Sequence, residues 1–304
     1  MEMQNKKKDF LTLKDYTEEE IRQIIAVAAK IKKDRKLYSS LLAGKSIGML
    51  FDKHSTRTRL SFEAGISQMG GNCIYLDAAT LQISRGETLE DSARVFGRYL
   101  DGLVIRTFAQ KTVEVFAEFS GIPVINGLTD MFHPCQVLSD IFTIQEIGLL
   151  NKGLKFTYVG DCNNVCNSLI IGFTKLGIDI TIGCSPEYGP LPEIIKYAAG
   201  EADVSGDISG SGSSSSQNGG GGRIKLIYDP AEAVLGADII YTDVWVSMGD
   251  THSEEKIREL SKFQVNSKLL SLAKKDVRVM HCLPAHREQE ITSEVYPPLI
   301  QTSV

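Results

Sequence analysis

A cluster of hydroxyl and guanidinium groups lies early in the chain, at His54-Ser55-Thr56-Arg57-Thr58-Arg59. The apolar run at residues 47–51 predicts a buried strand before it, and the apolar spacing of residues 60–69 predicts a helix after it. Backbone N–H groups and the helix dipole favour an anion at such a helix N-terminus. Hydroxyl groups add donors, and the planar fork of an arginine fits phosphate oxygens. We therefore predict a phosphate-binding turn that uses Ser55, Thr56, Arg57 and Thr58.

The sequence argues against nucleotide binding at two predicted turns between a strand and a helix. The Gly-x-x-x-x-Gly-Lys-Ser/Thr loop of nucleotide-binding proteins does not precede the predicted helix, which excludes a Walker-type site here. Residues 160–165 also follow a predicted strand, but they lack the three glycines of a dinucleotide-binding turn. A simpler interpretation of residues 54–59, a helix N-cap followed by exposed arginines, stays open.

Two further motifs of the N-terminal half could act on a carbonyl group. His133 and Gln136 lie in Phe132-His133-Pro134-Cys135-Gln136, between a predicted strand and a predicted helix whose first residue would be Pro134. A histidine at this place can donate a hydrogen bond to a carbonyl oxygen and stabilise the charge that develops on it. An N-terminal capping cluster is the alternative interpretation. Arg106 places a cation at the end of another predicted strand.

The C-terminal half carries groups that suit an amino acid. The paired amides of Asn163 and Asn164 offer neutral donors and acceptors for α-amino and α-carboxyl groups. Asp243 follows a predicted strand and could bind an ammonium, although a solvated loop aspartate is an alternative. Cys282 ends another predicted strand, where a buried core thiol is the simpler interpretation.

The elements that must position these groups alternate along the chain. Short apolar runs alternate with helical patterns, which predicts parallel sheets with crossover helices. We predict an α/β fold of two domains, residues 1–150 and 151–304, each a parallel sheet flanked by helices, with the boundary near residues 149–153. Ligands of open α/β sheets bind at the carboxyl ends of strands, where all the candidate residues named above lie. The predicted strands are residues 47–51, 73–76, 102–106, 122–126, 154–160, 178–182, 224–228, 238–243 and 277–282.

Two local patterns add detail to this outline. Thr17 with Glu20 three residues later predicts a capping box, followed by an amphipathic helix to about residue 33. Residues 205–222 are rich in glycine and serine and cannot bury apolar surface, which predicts a flexible surface loop.

The bulk composition excludes several classes of protein. The chain has 304 residues, of which 42% are hydrophobic, and a net charge of −5, which argues against a global basic face for nucleic acid. No apolar run approaches the roughly 18 to 20 residues of a membrane span, and the first residues lack the apolar region of a secretory signal. Cys162 and Cys166 lack a second Cys/His pair that would complete a zinc site. We therefore expect a reduced, cytoplasmic protein without disulfides, metal or cofactor.

Five motifs together resemble one family across residues 10–295. Ser-Thr-Arg-Thr-Arg followed by Ser-Phe-Glu is similar to the carbamoyl-phosphate loop of the aspartate/ornithine carbamoyltransferase family. His-Pro-x-Gln, Asp-x-Asn-Asn, Ser-Met-Gly at residues 247–249 and His-Cys-Leu-Pro at residues 281–284 follow in the family's order. The last two motifs resemble the ornithine branch of the family.

This resemblance implies a reaction between carbamoyl phosphate and L-ornithine that gives L-citrulline and phosphate, in a homotrimer whose sites are shared between subunits. Ser55, Thr56, Arg57 and Thr58 would hold the phosphate, and Arg106, His133 and Gln136 would polarise the carbamoyl carbonyl. Gln82 would reach into a neighbouring subunit's site. The ornithine would be held by Asn164, Asp243, Ser247 and Met248, and its δ-amine would be steered by Cys282 and the Leu283 carbonyl.

Two features depart from the family pattern. Residues 205–222 lengthen a surface connection. After Arg287 the family's Asn-Arg pair and its last helix, which returns to the first domain, are not recognisable, and Pro297-Pro298 cannot continue a helix. We therefore expect the return helix to be missing, and a non-catalytic or impaired carbamoyltransferase-like subunit is the alternative function. A nicotinamide dehydrogenase is a third interpretation, against which the missing glycine fingerprint argues.

Overall fold

The computed structural model describes residues 7–201, 204–206, 221–246, 253–296 and 300–301. Contacts divide the chain into an N-terminal unit that ends at Leu138 and a C-terminal unit that begins at Ser139. Each unit is a parallel sheet with helices between its strands, which confirms the predicted α/β fold. The division falls inside a helix. The domain boundary expected near residues 149–153 stays a prediction.

The N-terminal unit contains a four-stranded sheet in the order β2-β1-β3-β4, with every neighbouring pair parallel. Val104, Ile105 and Met49 of its central strands are buried, because helices cover a sheet of this kind on both faces. Its elements are α1 (Glu18–Lys33), β1 (Ser46–Phe51), α2 (Thr56–Gln68), β2 (Asn72–Asp77), α3 (Leu89–Tyr99), β3 (Gly102–Arg106), α4 (Gln110–Phe119), β4 (Val124–Leu128) and α5 (Pro134–Glu146), of which the last continues into the C-terminal unit.

The C-terminal unit contains a seven-stranded sheet in the order β11-β10-β9-β5-β6-β8-β7. Phe156, Tyr158 and Tyr241 are fully buried and their rings pack against one another across β5 and β9. Its elements are β5 (Phe156–Val159), α6 (Asn164–Lys175), β6 (Ile180–Gly183), α7 (Pro192–Glu201), β7 (Val204–Gly206), β8 (Ile224–Ile227), α8 (Pro230–Val234), β9 (Ile239–Thr242), α9 (Ser253–Leu260), α10 (Ser267–Leu270), β10 (Arg278–His281) and β11 (Ile300–Gln301).

Local signals in the sequence explain where α1 and β4 begin. The Thr17 hydroxyl accepts from the Glu20 N–H while the Glu20 carboxylate accepts from the Thr17 N–H, which confirms the capping box at the start of α1. β4 begins at Val124, two residues after the predicted start. Pro123 has no N–H to donate to the neighbouring strand, and only its carbonyl pairs, with the Leu103 N–H.

The predicted Gly/Ser loop begins later than the sequence suggested. Ser205 and Gly206 belong to β7 and pair with Lys225 and Leu226 of β8. At the other end, Gly222 is buried, and a Cβ on it would lie 2.0 Å from the Ile178 carbonyl oxygen. Residues 207–220, the rest of the predicted loop, lie outside the described residues.

The segment after Arg287 contributes a short strand. Ile300 and Gln301 form β11, which pairs in parallel with Met280 and His281 of β10. Residues 297–299 and 302–304 lie outside the described residues, so the expected loss of the return helix stays a prediction. Among the helices that the structure describes, none has the length and apolar character needed to cross a bilayer.

α3 and the end of α4 are in close contact at Gly97 and Ser120. A Cβ at Gly97 would lie 1.8 Å from the Ser120 carbonyl oxygen, so Gly97→Ala must push two helices apart. We expect it to lower the free energy of unfolding by about 1 to 3 kcal/mol, the usual range for overpacking. Gly65→Ala in α2, where nothing lies within 4 Å of the new Cβ, is the control and should add about 0.5 to 1 kcal/mol. Urea unfolding of both variants measures the difference, and equal stabilities would contradict the packing argument.

Candidate active site

The turn between β1 and α2 forms as predicted from the hydroxyl-rich motif. Ser55 is the N-cap of α2, and its hydroxyl accepts from the Thr58 N–H at 3.2 Å. Because the Ser55 oxygen is used as an acceptor, its own O–H proton can still be donated to a ligand. Thr56 and Arg57 are exposed at the first turn of the helix, whereas Thr58 is buried. The N-cap interpretation and the anion-binding interpretation are therefore compatible.

The two arginines of this motif have different surroundings. Arg59 pairs with Glu63 at 3.2 Å, and its guanidinium lies 3.8 Å from the centre of the Tyr75 ring. These contacts hold Arg59 along the side of α2. Arg57 lies at the exposed N-terminus of the helix, where the dipole attracts anions.

Arg106 reaches the same helix N-terminus from the neighbouring strand. β1 and β3 are paired with Phe51 opposite Arg106, so the residue after each strand emerges at one end of the sheet. An Arg106 Nη1–H donates to the Thr58 hydroxyl oxygen at 3.1 Å. The structure therefore brings Arg106 together with the predicted phosphate-binding turn.

Contacts among three loops hold this end of the sheet together. The Asp52 N–H donates to the Arg106 carbonyl at 2.8 Å, and the Asp130 N–H donates to the Phe108 carbonyl at 2.8 Å. The buried ammonium of Lys53 forms an ion pair with Asp130 and lies 4.2 Å from the centre of the Phe108 ring. Neither Lys53 nor Asp130 was selected from the sequence, although a lysine two residues after a buried strand is a signal that could have found Lys53.

His133 and Gln136 lie at the start of α5, and both side chains are buried. Burial and the neighbouring Arg106 charge lower the His133 pKa from 6.5 to about 3. The imidazole is therefore neutral at ordinary pH and carries one N–H donor. A neutral donor beside the fixed arginine charge suits the polarisation of a carbonyl oxygen.

The C-terminal unit has its own polar group at the ends of β5, β9 and β10. The Asn163 side chain caps α6 by accepting from the Val165 and Cys166 N–H groups, and its amide donates to Asp243 Oδ2 at 2.7 Å. Asn164, the predicted ligand, is the half-buried first residue of α6. The sequence presented the two asparagines as a pair, but Asn163 is the one that orients Asp243.

Cys282 contacts the same carboxylate from the next strand. β9 and β10 are paired with Thr242 opposite His281, so Asp243 and Cys282 follow at adjacent positions. The Cys282 Sγ–H donates to Asp243 Oδ1 at 2.9 Å. Burial, and then the Asp243 charge, raise the pKa of Cys282 well above its usual value. Cys282 is therefore a thiol that donates a hydrogen bond, and it is a poor nucleophile.

A metal does not suit this group of residues. One ligand atom each from Asp243, His281 and Cys282 lies within 4.8 Å of the others. However, His281 Nδ1 accepts from the Leu283 N–H at 2.8 Å, and Nε2 lies 3.1 Å from Glu290 Oε1. Both ring nitrogens of His281 are already hydrogen-bonded, so an ion would have to replace contacts that the fold already makes.

A buried ion pair supports the loop that follows β5. Lys256 of α9 forms an ion pair with Asp161 at 2.8 Å, and both side chains are largely buried. Asp161 lies two residues before the Asn163 cap, so this pair connects α9 to the polar group. Lys256 was missed from the sequence because α9 was not predicted, since five of its eight residues are charged and obscure the helical period.

The structure describes one of the three remaining predicted ligands. Gln82 is exposed in the 3₁₀ turn Gln82–Arg85, and the flanking Leu81 and Ile83 pack against the core. Ser247 and Met248 lie outside the described residues. Their predicted contacts with a ligand therefore stay predictions.

Family models match both parts of the chain. Residues 8–146 match the carbamoyl-P binding domain of aspartate/ornithine carbamoyltransferase, and residues 152–297 match the Asp/Orn binding domain of the same family. Together these two matches cover all of the residues on which the candidate site depends.

Several similar proteins are ornithine carbamoyltransferases. The chain is 46% identical over 288 residues to an ornithine carbamoyltransferase of Bacillus thuringiensis subsp. konkukian, covering 95% of this chain and 86% of that protein. Its structure is similar to that of the Pyrococcus furiosus ornithine carbamoyltransferase, with a TM-score of 0.86, 44% identity and coverage of 97% and 91%. The anabolic ornithine carbamoyltransferase of Campylobacter jejuni gives a TM-score of 0.85, 40% identity and coverage of 95% and 90%.

The lowered pKa of His133 predicts an effect on stability in acid. Between pH 6.5 and about 3 the unfolded chain binds more protons at this residue than the folded chain, so acidification favours unfolding. As the pH falls through that window, the free energy of unfolding should fall less steeply for His133→Asn than for the wild type. The two slopes should differ by up to about 1.4 kcal/mol per pH unit. Urea unfolding of wild type and variant at several pH values measures this slope. Identical slopes would mean that the imidazole titrates alike in the folded and unfolded chains.

Proposed function

The chain belongs to the aspartate/ornithine carbamoyltransferase family, and we propose that its two groups of polar side chains bind the two substrates of ornithine carbamoyltransferase. The enzyme transfers the carbamoyl group of carbamoyl phosphate to the δ-amine of L-ornithine, giving L-citrulline and phosphate. The observation that carries the site assignment is the hydrogen bond from Arg106 to Thr58, which places a cation beside the N-terminus of α2. Nothing in the described residues favours a non-catalytic subunit.

In this proposal the first domain, residues 1–150, binds carbamoyl phosphate. The phosphate lies at the N-terminus of α2, where Arg57 supplies a bidentate contact and the hydroxyls of Ser55, Thr56 and Thr58 donate hydrogen bonds. Arg106 spans the phosphate and the carbamoyl oxygen. His133 and Gln136 donate to the carbamoyl group, whose oxygen gains negative charge as the amine attacks.

The second domain, residues 151–304, binds L-ornithine. Asp243, held by Asn163 and Cys282, accepts from the α-ammonium, and Asn164 contacts the α-groups. Ser247 and Met248 complete the contacts with ornithine. The Cys282 thiol and the Leu283 carbonyl orient the δ-amine, because a lone pair must face the carbonyl carbon before a bond can form.

The reaction then needs no covalent intermediate with the protein. The neutral δ-amine forms a bond to the carbamoyl carbon, the bond from that carbon to the phosphate oxygen breaks, and the amine loses a proton as phosphate leaves. The high pKa of Cys282 supports this direct attack, since a protonated thiol does not compete as a nucleophile. Catalysis consists of positioning and electrostatic stabilisation by groups that are already in place.

The proposal also covers the oligomeric state, the pathway and the cellular compartment of the enzyme. The chain forms a homotrimer in which Gln82 reaches the site of a neighbouring subunit, and its exposure on a turn anchored by Leu81 and Ile83 supports this role. The enzyme acts in arginine biosynthesis in the cytoplasm. All six cysteines are free, which supports a reducing compartment.

Turnover of the purified chain tests the proposal. Incubation with carbamoyl phosphate and L-ornithine should form citrulline, whereas L-aspartate as the acceptor should give no product. Arg57→Ala should weaken carbamoyl-phosphate binding by about ten- to a hundredfold in calorimetry, since a charge-assisted contact contributes about 1.5 to 3 kcal/mol. Arg59→Ala is the matched control, because Arg59 contacts Glu63 and Tyr75 along the side of α2. The affinity of this variant for carbamoyl phosphate should stay near that of wild type. Absence of citrulline from the folded chain would refute the proposal.

Subunit mixing tests the shared site. Chains with Arg57→Ala and chains with Gln82→Ala should each be nearly inactive alone, because every site lacks one contact. After subunit exchange, some interfaces pair an intact Arg57 with an intact Gln82, so part of the activity should return. Exchange is verified with differently tagged chains on a sizing column. Verified mixed trimers without any recovery would show that Gln82 acts in its own subunit or not at all.

A further inference from the structure

The turn after β10 holds a leucine in a backbone conformation that leucine rarely adopts. Leu283 has a φ of 61°, in the left-handed region that favours glycine. Its N–H donates to His281 Nδ1 at 2.8 Å, and the imidazole is completely buried. This hydrogen bond therefore sets the direction of the peptide group between Cys282 and Leu283.

The contact at Nδ1 determines which nitrogen of His281 carries the proton. A neutral imidazole has one N–H, and Nδ1 is already an acceptor, so the proton is on Nε2. Nε2 lies 3.1 Å from Glu290 Oε1 and donates to it. Glu290 thereby stabilises the tautomer that can receive the Leu283 N–H.

A second carboxylate would favour the opposite tautomer. Asp243 Oδ1 lies 4.0 Å from His281 Nδ1, on the other side of the ring from Glu290. With the proton on Nδ1, the imidazole would turn a donor toward Asp243 and toward the Leu283 N–H. The contact with Asp243 would compete with the hydrogen bond from the Cys282 thiol to that carboxylate. At Leu283, the Nδ1–H and the backbone N–H would be two donors facing each other. Glu290 and the Leu283 N–H therefore hold the proton on Nε2 together, and without Glu290 the Leu283 N–H alone would oppose Asp243.

Glu290 is well placed to hold this position. Its side chain is completely buried, and Oε1 also accepts from the His286 N–H at 2.5 Å. A single oxygen thus ties both ends of the turn from His281 to His286. Within the part of the chain that the structure describes, Oε2 has no hydrogen-bond partner. The Glu290 backbone is fixed in turn, because its carbonyl accepts from the Val265 N–H at 2.8 Å.

We propose that Glu290 is a positioning residue for the acceptor amine, acting through the tautomer of His281 on the turn that carries Cys282 and the Leu283 carbonyl. The inference rests on the function proposed above, which assigns these two groups to the δ-amine of ornithine. Glu290 itself touches neither substrate. Its loss should impair the ornithine half of the reaction and leave the binding of carbamoyl phosphate intact, because Arg57 and Arg106 belong to other elements.

Three substitutions of Glu290 test this role in the full-length enzyme. Glu290→Leu removes the acceptor and should lower kcat/KM for ornithine by about ten- to a hundredfold, the cost of misplacing a reacting group by about 1 Å. The dissociation constant of carbamoyl phosphate, measured by calorimetry, should change less than about twofold, since no charge–ligand contact is lost. Glu290→Gln retains a carbonyl acceptor and should restore most of the activity. Equal losses for both substrates, or a Leu variant with wild-type kinetics, would overturn the inference.

Glu290→Asp keeps the test decisive if the Leu variant does not fold. Aspartate preserves the charge but withdraws the carboxylate by one methylene, so it should weaken ornithine turnover without affecting carbamoyl-phosphate affinity. A folded Asp variant with unchanged ornithine kinetics would also overturn the inference.

The tautomer itself can be observed without turnover. In protein labelled with ¹⁵N-histidine, the His281 signals, assigned by their loss in His281→Gln, should report a proton on Nε2 in the wild type. In the folded Leu variant, or in the Asp variant, the proton should move wholly or partly to Nδ1. An unchanged tautomer would refute the inference even if citrulline is formed. If the tautomer shifts but the wild type forms no citrulline, the proposed function fails instead.

Discussion

Parallel pairing of neighbouring strands is the constraint on which the candidate site depends. Because paired strands run in the same direction, the residues that follow them emerge at one end of the sheet. The pairing of Phe51 with Arg106 places a guanidinium beside the N-terminus of α2. The pairing of Thr242 with His281 similarly places Asp243 next to Cys282. A shift of one residue in either pair would separate these groups, because successive side chains point to opposite faces.

Burial determines the protonation state of the groups collected in this way. His133 is neutral because desolvation and Arg106 both oppose its charged form, and Cys282 is a thiol because desolvation and Asp243 oppose the thiolate. The positive charge needed for an anionic substrate comes from arginines, which keep their charge in proteins. These protonation states suit direct transfer between two substrates, in which the protein stabilises charge and supplies no nucleophile.

The loops that carry these groups are held by contacts that take no part in the chemistry. Lys53 and Asp130 connect the loops after β1 and β4, while Asp161 and Lys256 connect α9 to the loop after β5. Glu290 has a comparable place behind the turn at Cys282. The buried charges of Lys53, Asp161 and Glu290 are costly to leave without a partner, so each of these contacts favours one arrangement of its loop. Rigid support matters here because a misplacement of about 1 Å at a reacting group can cost about a hundredfold in rate.

The sequence by itself determined the fold class, the positions of most strands and the motifs at their carboxyl ends, because buried strands, helix caps and hydroxyl-rich turns are local patterns of side chains. It could not identify the roles of Lys53 and Glu290 or the hydrogen bond from the Asn163 amide to Asp243, since these contacts join different elements of the fold. It also missed β7 and β11, whose short strands form only against β8 and β10. Which nitrogen of His281 carries a proton is likewise decided by tertiary structure, because it depends on two carboxylates brought to opposite sides of one buried ring.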